Sequence, residues 1–140
     1  MKTILAYSCL FIILINFVTA CKKSETTQAN GKFEVALYNC NKKSEPYICF
    51  DSLITDNRCP EDVVCIWSGY AMIKVSFHEN RNTHIFKMAI PNIRNLFFDA
   101  PADTTINGYR IVFSDLQPYP NTSKPPVPID KIKAVITISH

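Results

Sequence analysis

Glycine is scarce in this chain, with three in 140 residues. That excludes collagen-like repeats and the Gly-rich loops that cradle phosphates. Net charge is scarce too. The 15 Lys+Arg against 12 Asp+Glu include Lys2, Lys22, Lys23 and Glu25 near the N-terminus, so the region from Lys32 onward is close to neutral. Such a region has no electrostatic footprint for nucleic acid, and no nucleic-acid partner is expected. There is no Cys-x-x-Cys pair and no zinc-knuckle spacing, which leaves redox and zinc chemistry unsupported. No Ser-His-Asp order, zincin helix or nucleophile elbow is visible. No carboxylate pair is singled out for glycoside cleavage. The sequence therefore names no catalytic residue and no cofactor, and an enzyme is not the expected reading. Only one stretch is long and apolar, and it lies at the N-terminus.

That stretch has the grammar of a secretory signal peptide. Met1-Lys2 is a short positive start, residues 4–17 are apolar, and Val18-Thr19-Ala20 offers small side chains before a cut. The apolar run is about 15 residues, short of the ~20 that span a bilayer, and Asn16 interrupts it. Cys21 follows directly. The string from Leu14 to Cys21 resembles a bacterial lipobox, which implies lipidation of Cys21, palmitate included, after removal of residues 1–20. Cysteine parity points the same way. Of six cysteines, Cys9 leaves with the signal and a lipidated Cys21 leaves an even set: Cys40, Cys49, Cys59 and Cys65. Residues 21–31 are polar and unpatterned after the cysteine and read as a flexible tether. Lys22, in place of Asp, favours the outer membrane by resemblance to lipoproteins of double-membrane bacteria. The expectation is a domain in the cell envelope, held to the membrane by grease at its front end.

From residue 32 to 140 the pattern is that of strands. Phe33, Val35 and Leu37 alternate with Glu34, Ala36 and Tyr38, and residues 47–54 are rich in aromatic and branched side chains. Ala71, Ile73, Val75 and Phe77 give the cleanest period of two. The turn cluster Glu79-Asn80-Arg81-Asn82 leads into a partner strand over 83–90. Asn107-Gly108, suited to positive φ, precedes a strand over 109–116. Ile132, Ala134, Ile136 and Ile138 close the domain. The nine prolines fall between these runs, where a missing N–H costs no ladder bond. The expectation is an all-β domain, a single antiparallel β-sandwich or small barrel of six to seven strands. Residues 93–98 are read as a single helical turn, and the Pro-rich stretch 118–128 as a stiff crossover between two strands.

Four cysteines allow three connectivities. Loop length favours Cys59–Cys65 and Cys40–Cys49, and crossed pairings such as Cys49–Cys59 stay open. In the loop-entropy picture each local bridge contributes about 2–3 kcal/mol.

The segment Asp56-Asn57-Arg58-Cys59-Pro60-Glu61-Asp62-Val63-Val64-Cys65-Ile66-Trp67-Ser68-Gly69 resembles a D-S-R-C-P-x-D-V-x-C-x-W-x-G block of small uncharacterised bacterial lipoproteins. Those sequences continue with a strand like residues 71–77, a block like Gly108-Tyr109-Arg110-Ile111, and one like Leu116-Gln117-Pro118-Tyr119-Pro120. The chain departs from them in Asn57 for Ser and in its Cys40/Cys49 pair. The resemblance implies a β-fold and a Cys59–Cys65 bridge, and no activity.

Within the block, Asp56 and Arg58 can pair, Gly69 permits a bend, and Trp67 can cover the bridge. The functional alternative makes Arg58, Trp67 and Tyr119 a ligand-facing patch, since these residue types dominate binding hot spots. His78 and His84, opposite each other across a three-residue loop, are a candidate two-nitrogen metal edge. Asp99 and Asp103 are candidate calcium ligands, without the spacing of an EF-hand. The functional expectation is a lipid-anchored binding or interaction module, with an envelope protein, polymer or small ligand as partner. A structural or assembly accessory without a ligand of its own is the alternative, and an envelope hydrolase stands behind both.

Overall fold

The computed structural model describes residues 30–43, 45–91, 93–94 and 99–140. The expected signal peptide, Cys21 and all but the end of the tether lie outside the described residues. Nine strands follow in chain order: β1 (Gly31–Ala36), β2 (Tyr47–Asp56), β3 (Ala71–Glu79), β4 (Asn82–Ile90), β5 (Ile93–Arg94), β6 (Asp99–Ala100), β7 (Asp103–Ile106), β8 (Tyr109–Gln117) and β9 (Lys133–Ser139). A single 3-10 turn, Ile129–Lys131, precedes β9.

The strands form two antiparallel sheets, one of order β1-β9-β8-β7 and one of order β2-β3-β4, with β5-β6 as a short separate ribbon. The fold is a β-sandwich. The barrel alternative fails because, among the described residues, no ladder joins one sheet to the other. Alternation explains the core. Val35, Ile48, Phe50, Ile73, Val75, Phe77, Ile111, Phe113, Ile136 and Ile138 are buried in one cluster between the sheets. Bulges adjust the phase. In β8 the register shifts between Phe113 and Asp115, so Leu116 faces inward where strict alternation puts Asp115. The β5-β6 ribbon covers the other face of the smaller sheet, where Met72, Ala89 and Ala100 are buried with Tyr70 and Ile93 against them.

Two expectations are corrected, and one strand was missed. Ile93–Arg94 is extended and pairs with β6, so the helical turn is absent there, and residues 95–98 of that reading lie outside the described residues. Strand β7 was not read at all. The Pro-rich stretch is not a crossover, because β8 and β9 are antiparallel neighbours and it forms their long return.

Connections sort the molecule into two poles. At the first lie the start of β1, the end of β9 and the two-residue turns Asn80-Arg81 and Asn107-Gly108. Those four turn residues all have positive φ, which suits the mirror-image turns that match strand twist. Asn107 Nδ2 donates to Glu79 Oε2 at 2.8 Å and ties the two turns together. The His140 amide donates to Asn30 Oδ1 at 2.9 Å. At the far pole lie the β2–β3 loop, residues 57–70, and the β8–β9 loop, residues 118–132. Nine-residue strands set the poles about 30 Å apart. The second bridge, Cys40–Cys49, joins the β1–β2 connection to β2 across an isolated antiparallel pairing with 3.9 Å between Cα atoms.

Candidate functional site at the far pole

The β2–β3 loop begins as a narrow neck. The Asn57 amide donates to the Tyr70 carbonyl at 3.0 Å, Tyr70 returns a bond to Asn57 Oδ1 at 2.9 Å, and the Cys59 amide donates to the Ser68 carbonyl at 2.8 Å. Gly69 makes the neck possible. Its φ is +67°, and a Cβ there would stand 1.8 Å from the Asn57 carbonyl oxygen. Beyond the neck, Cys59–Cys65 closes the tip. Both disulfides thus follow the local pairing.

Arg58 fixes this loop to the body. It is only 7% exposed. Its Nε and Nη2 donate to the two carboxylate oxygens of Asp56 at 2.8 Å each, a bidentate fork. Nη2 also reaches the Pro118 carbonyl at 3.4 Å. Nη1 lies 3.6 Å from Asp115 Oδ1 and forms no hydrogen bond. The guanidinium carbon sits 4.5 Å from the centre of the Tyr119 ring, within cation–π range. The Asp56–Arg58 pairing anticipated from sequence is present. Arg58 itself faces inward and supports Tyr119 from beneath, so it presents no surface to a ligand.

A second strap lies further out. Asp62 accepts from the Thr122 amide and hydroxyl and from the Ser123 amide and hydroxyl, the Thr122 hydroxyl at 2.6 Å. These donors, Thr122 first, hold its carboxyl far below the usual carboxylate range. Glu61 accepts from Asn121 at 2.9 Å and pairs with Lys124 at 3.3 Å, which lowers its pKa as well. The Glu61 amide donates to the Pro120 carbonyl at 3.0 Å. Sequence reading did not pair these two segments, although an Asp and a Glu beside a bridged turn are natural acceptors for a Thr-Ser pair.

Exposed apolar side chains concentrate at this pole. Val64 is 103% and Ile66 107% exposed, Trp67 is 62% exposed, and Val63, Tyr119, Val127 and Ile129 also face solvent. Trp67 projects from the clasped loop. Its ring meets Tyr70 edge-on at 6.2 Å. Arg58 and Tyr119 are brought together, whereas Trp67 belongs to the tip. Two concavities flank Tyr119. One, of about 460 Å³, is lined by Tyr119, Glu61, Asn121, Lys124, Pro125 and Val127 among others. The other, of about 510 Å³, is lined by Asp115, Gln117, Pro118, Tyr119, Lys131 and Lys133.

The remaining candidates come apart. The β3–β4 turn has two residues, not three, so His78 pairs with Thr83 and His84 with Phe77. Adjacent positions point to opposite faces, and the metal edge does not form. His78 stacks on Tyr47 at 4.6 Å and bonds Thr83 and Ser76. Asp103 pairs with Arg110 at 3.0 Å. Among the described residues no three His, Cys, Asp or Glu gather as a metal site, and no helix is long and apolar enough to cross a membrane. A scan with protein-family models, a search of curated proteins and a search of solved structures returned no match.

Proposed function

We propose that this chain is a lipid-anchored cell-envelope domain that acts as a binding module, with the far pole as its working surface and Cys21 as its anchor. One observation carries the reading: the exposed aromatic and aliphatic side chains of the two loops gather at the pole opposite the one where the chain enters at Gly31. Tyr119, held over the buried guanidinium and flanked by two open concavities, supports the same reading. The signal-like N-terminus, the lipobox-like string and the local disulfides support the envelope placement. The partner is an envelope protein, polymer or small ligand.

The test is photo-crosslinking in cells with a reactive side chain at position 119 or, as control, at position 110 on the opposite pole. The expected result is a discrete adduct from position 119 only. Adducts from both positions alike, or from neither, overturn the reading. Mass analysis of the N-terminal peptide tests the anchor, and an unmodified Cys21 thiol refutes it.

A further inference from the structure

The clasped tip belongs to that surface, and its chemistry is distinct from that of the concavities beside Tyr119. Residues 63–69, Val-Val-Cys-Ile-Trp-Ser-Gly, carry no charge. Exposures of 103% at Val64 and 107% at Ile66 mean that these side chains stand clear of every neighbour in the molecule. They form a point, not a face. A flat partner touches a point at its apex only, whereas a fluid acyl phase closes around it without a matching cleft. Trp67 sits at the shoulder, where an amphipathic ring favours the headgroup level. The acids nearest the tip are occupied: Asp62 by Thr122 and Ser123, Glu61 by Asn121 and Lys124. Lys124 and Lys131 are exposed and paired with Glu61 at 3.3 Å and Asp130 at 3.6 Å, so the charges around the loop offset one another.

We propose that the tip is a membrane-docking loop, with Val64 and Ile66 entering the acyl boundary of a bilayer and Trp67 lying at its headgroups. This deepens the reading of the far pole as a working surface by assigning the tip to the membrane, while Tyr119 and its concavities keep the partner. It is also compatible with the anchor. The nine residues between Cys21 and Gly31 reach at most about 30 Å, close to the pole-to-pole length, so lipid and tip can share one leaflet. The bridge and the neck hold the loop in shape, so little ordering is required on docking.

Trp67 is the chain's single tryptophan, which makes it the reporter. The folded unit, residues 30–140, contains the whole described core and both disulfides and is used without lipid. It is mixed with vesicles of phosphatidylcholine and phosphatidylglycerol, with brominated acyl chains in a parallel set. The expected result is co-sedimentation, a shift of Trp67 emission to shorter wavelength and quenching by bromine. The Val64→Ser/Ile66→Ser double variant keeps its melting temperature and loses at least about tenfold in partitioning. Absence of co-sedimentation at every lipid concentration overturns the proposal. So does equal partitioning of variant and parent, which places any binding elsewhere. Either failure leaves the Tyr119 crosslink untouched, so the two readings fail separately.

Discussion

The guanidinium of Arg58 is sandwiched between the Asp56 carboxylate, held at 2.8 Å, and the Tyr119 ring, 4.5 Å from its centre. It joins two loops that meet nowhere along the chain, one after β2 and one after β8. The far pole is consequently one unit with a buried charge at its base. Its behaviour on substitution follows from that.

Arg58→Lys keeps the charge but loses the fork, the contact with the Pro118 carbonyl and the flat face against Tyr119. Arg58→Met removes the charge and leaves Asp56 without its partner. The expected loss is about 2–4 kcal/mol for Met and somewhat less for Lys. Urea unfolding followed by circular dichroism measures it, and an unchanged midpoint for Met refutes the supporting role.

Gly69→Ala places a methyl group where the Asn57 carbonyl already lies and forces a side chain into left-handed backbone. The expected cost exceeds about 2 kcal/mol. The companion substitution at Gly108, where a Cβ meets only the His140 ring at 3.3 Å, is expected to cost less. Thermal unfolding of the two variants side by side gives the ranking.

Acid loosens the outer strap. The Asp62 carboxyl titrates lower in the folded protein than in the unfolded chain, so its contribution is complete above the ordinary carboxylate value of about 3.9 and disappears as pH falls through the folded value. Glu61 acts in the same direction. The amides of Thr122 and Ser123 are therefore expected to hold their shifts through about pH 4, where an ordinary carboxylate titrates, and to move only well below it. A proton–nitrogen correlation titration follows this, and Asp62→Asn is expected to show the low-pH positions of these amides already at neutral pH.

The two disulfides are expected to differ in reach. Cys40–Cys49 involves the buried Cys49 of β2, so its replacement by serine pairs lowers global stability, by about 3 kcal/mol in the loop-entropy picture. Cys59–Cys65 closes an exposed tip beyond a hydrogen-bonded neck. Its removal is expected to speed amide exchange in residues 59–68 while β3 and β8 stay protected. Equal exchange throughout the chain contradicts that division.

Much of the sandwich was legible because burial on one face enforces a period of two. Ile73, Val75 and Phe77 announce β3, and Ile136 and Ile138 announce β9. Strand β7, Asp-Thr-Thr-Ile, has no such signature, since it is a short edge strand with no fully buried residue. The histidine pair was misplaced by a turn one residue shorter than expected, which reverses a side chain's face. At the far pole, residue types alone favoured Arg58, Trp67 and Tyr119, yet their depth depends on how the two loops meet. Arg58 is drawn inward by Asp56 and the Pro118 carbonyl, and Trp67 is carried outward by a neck that the Gly69 backbone permits. For Arg58, the Pro118 carbonyl and the Tyr119 ring that close over it lie about sixty residues further along the chain, out of reach of a local reading.

The bond between the His140 amide and Asn30 places both ends of the folded unit on one side of the molecule. A fluorescent or affinity label attached at His140 therefore emerges beside Asn30, where the chain enters the folded unit. It leaves the opposite loops unobstructed, whereas cargo spliced between Asn121 and Pro128 would cover them.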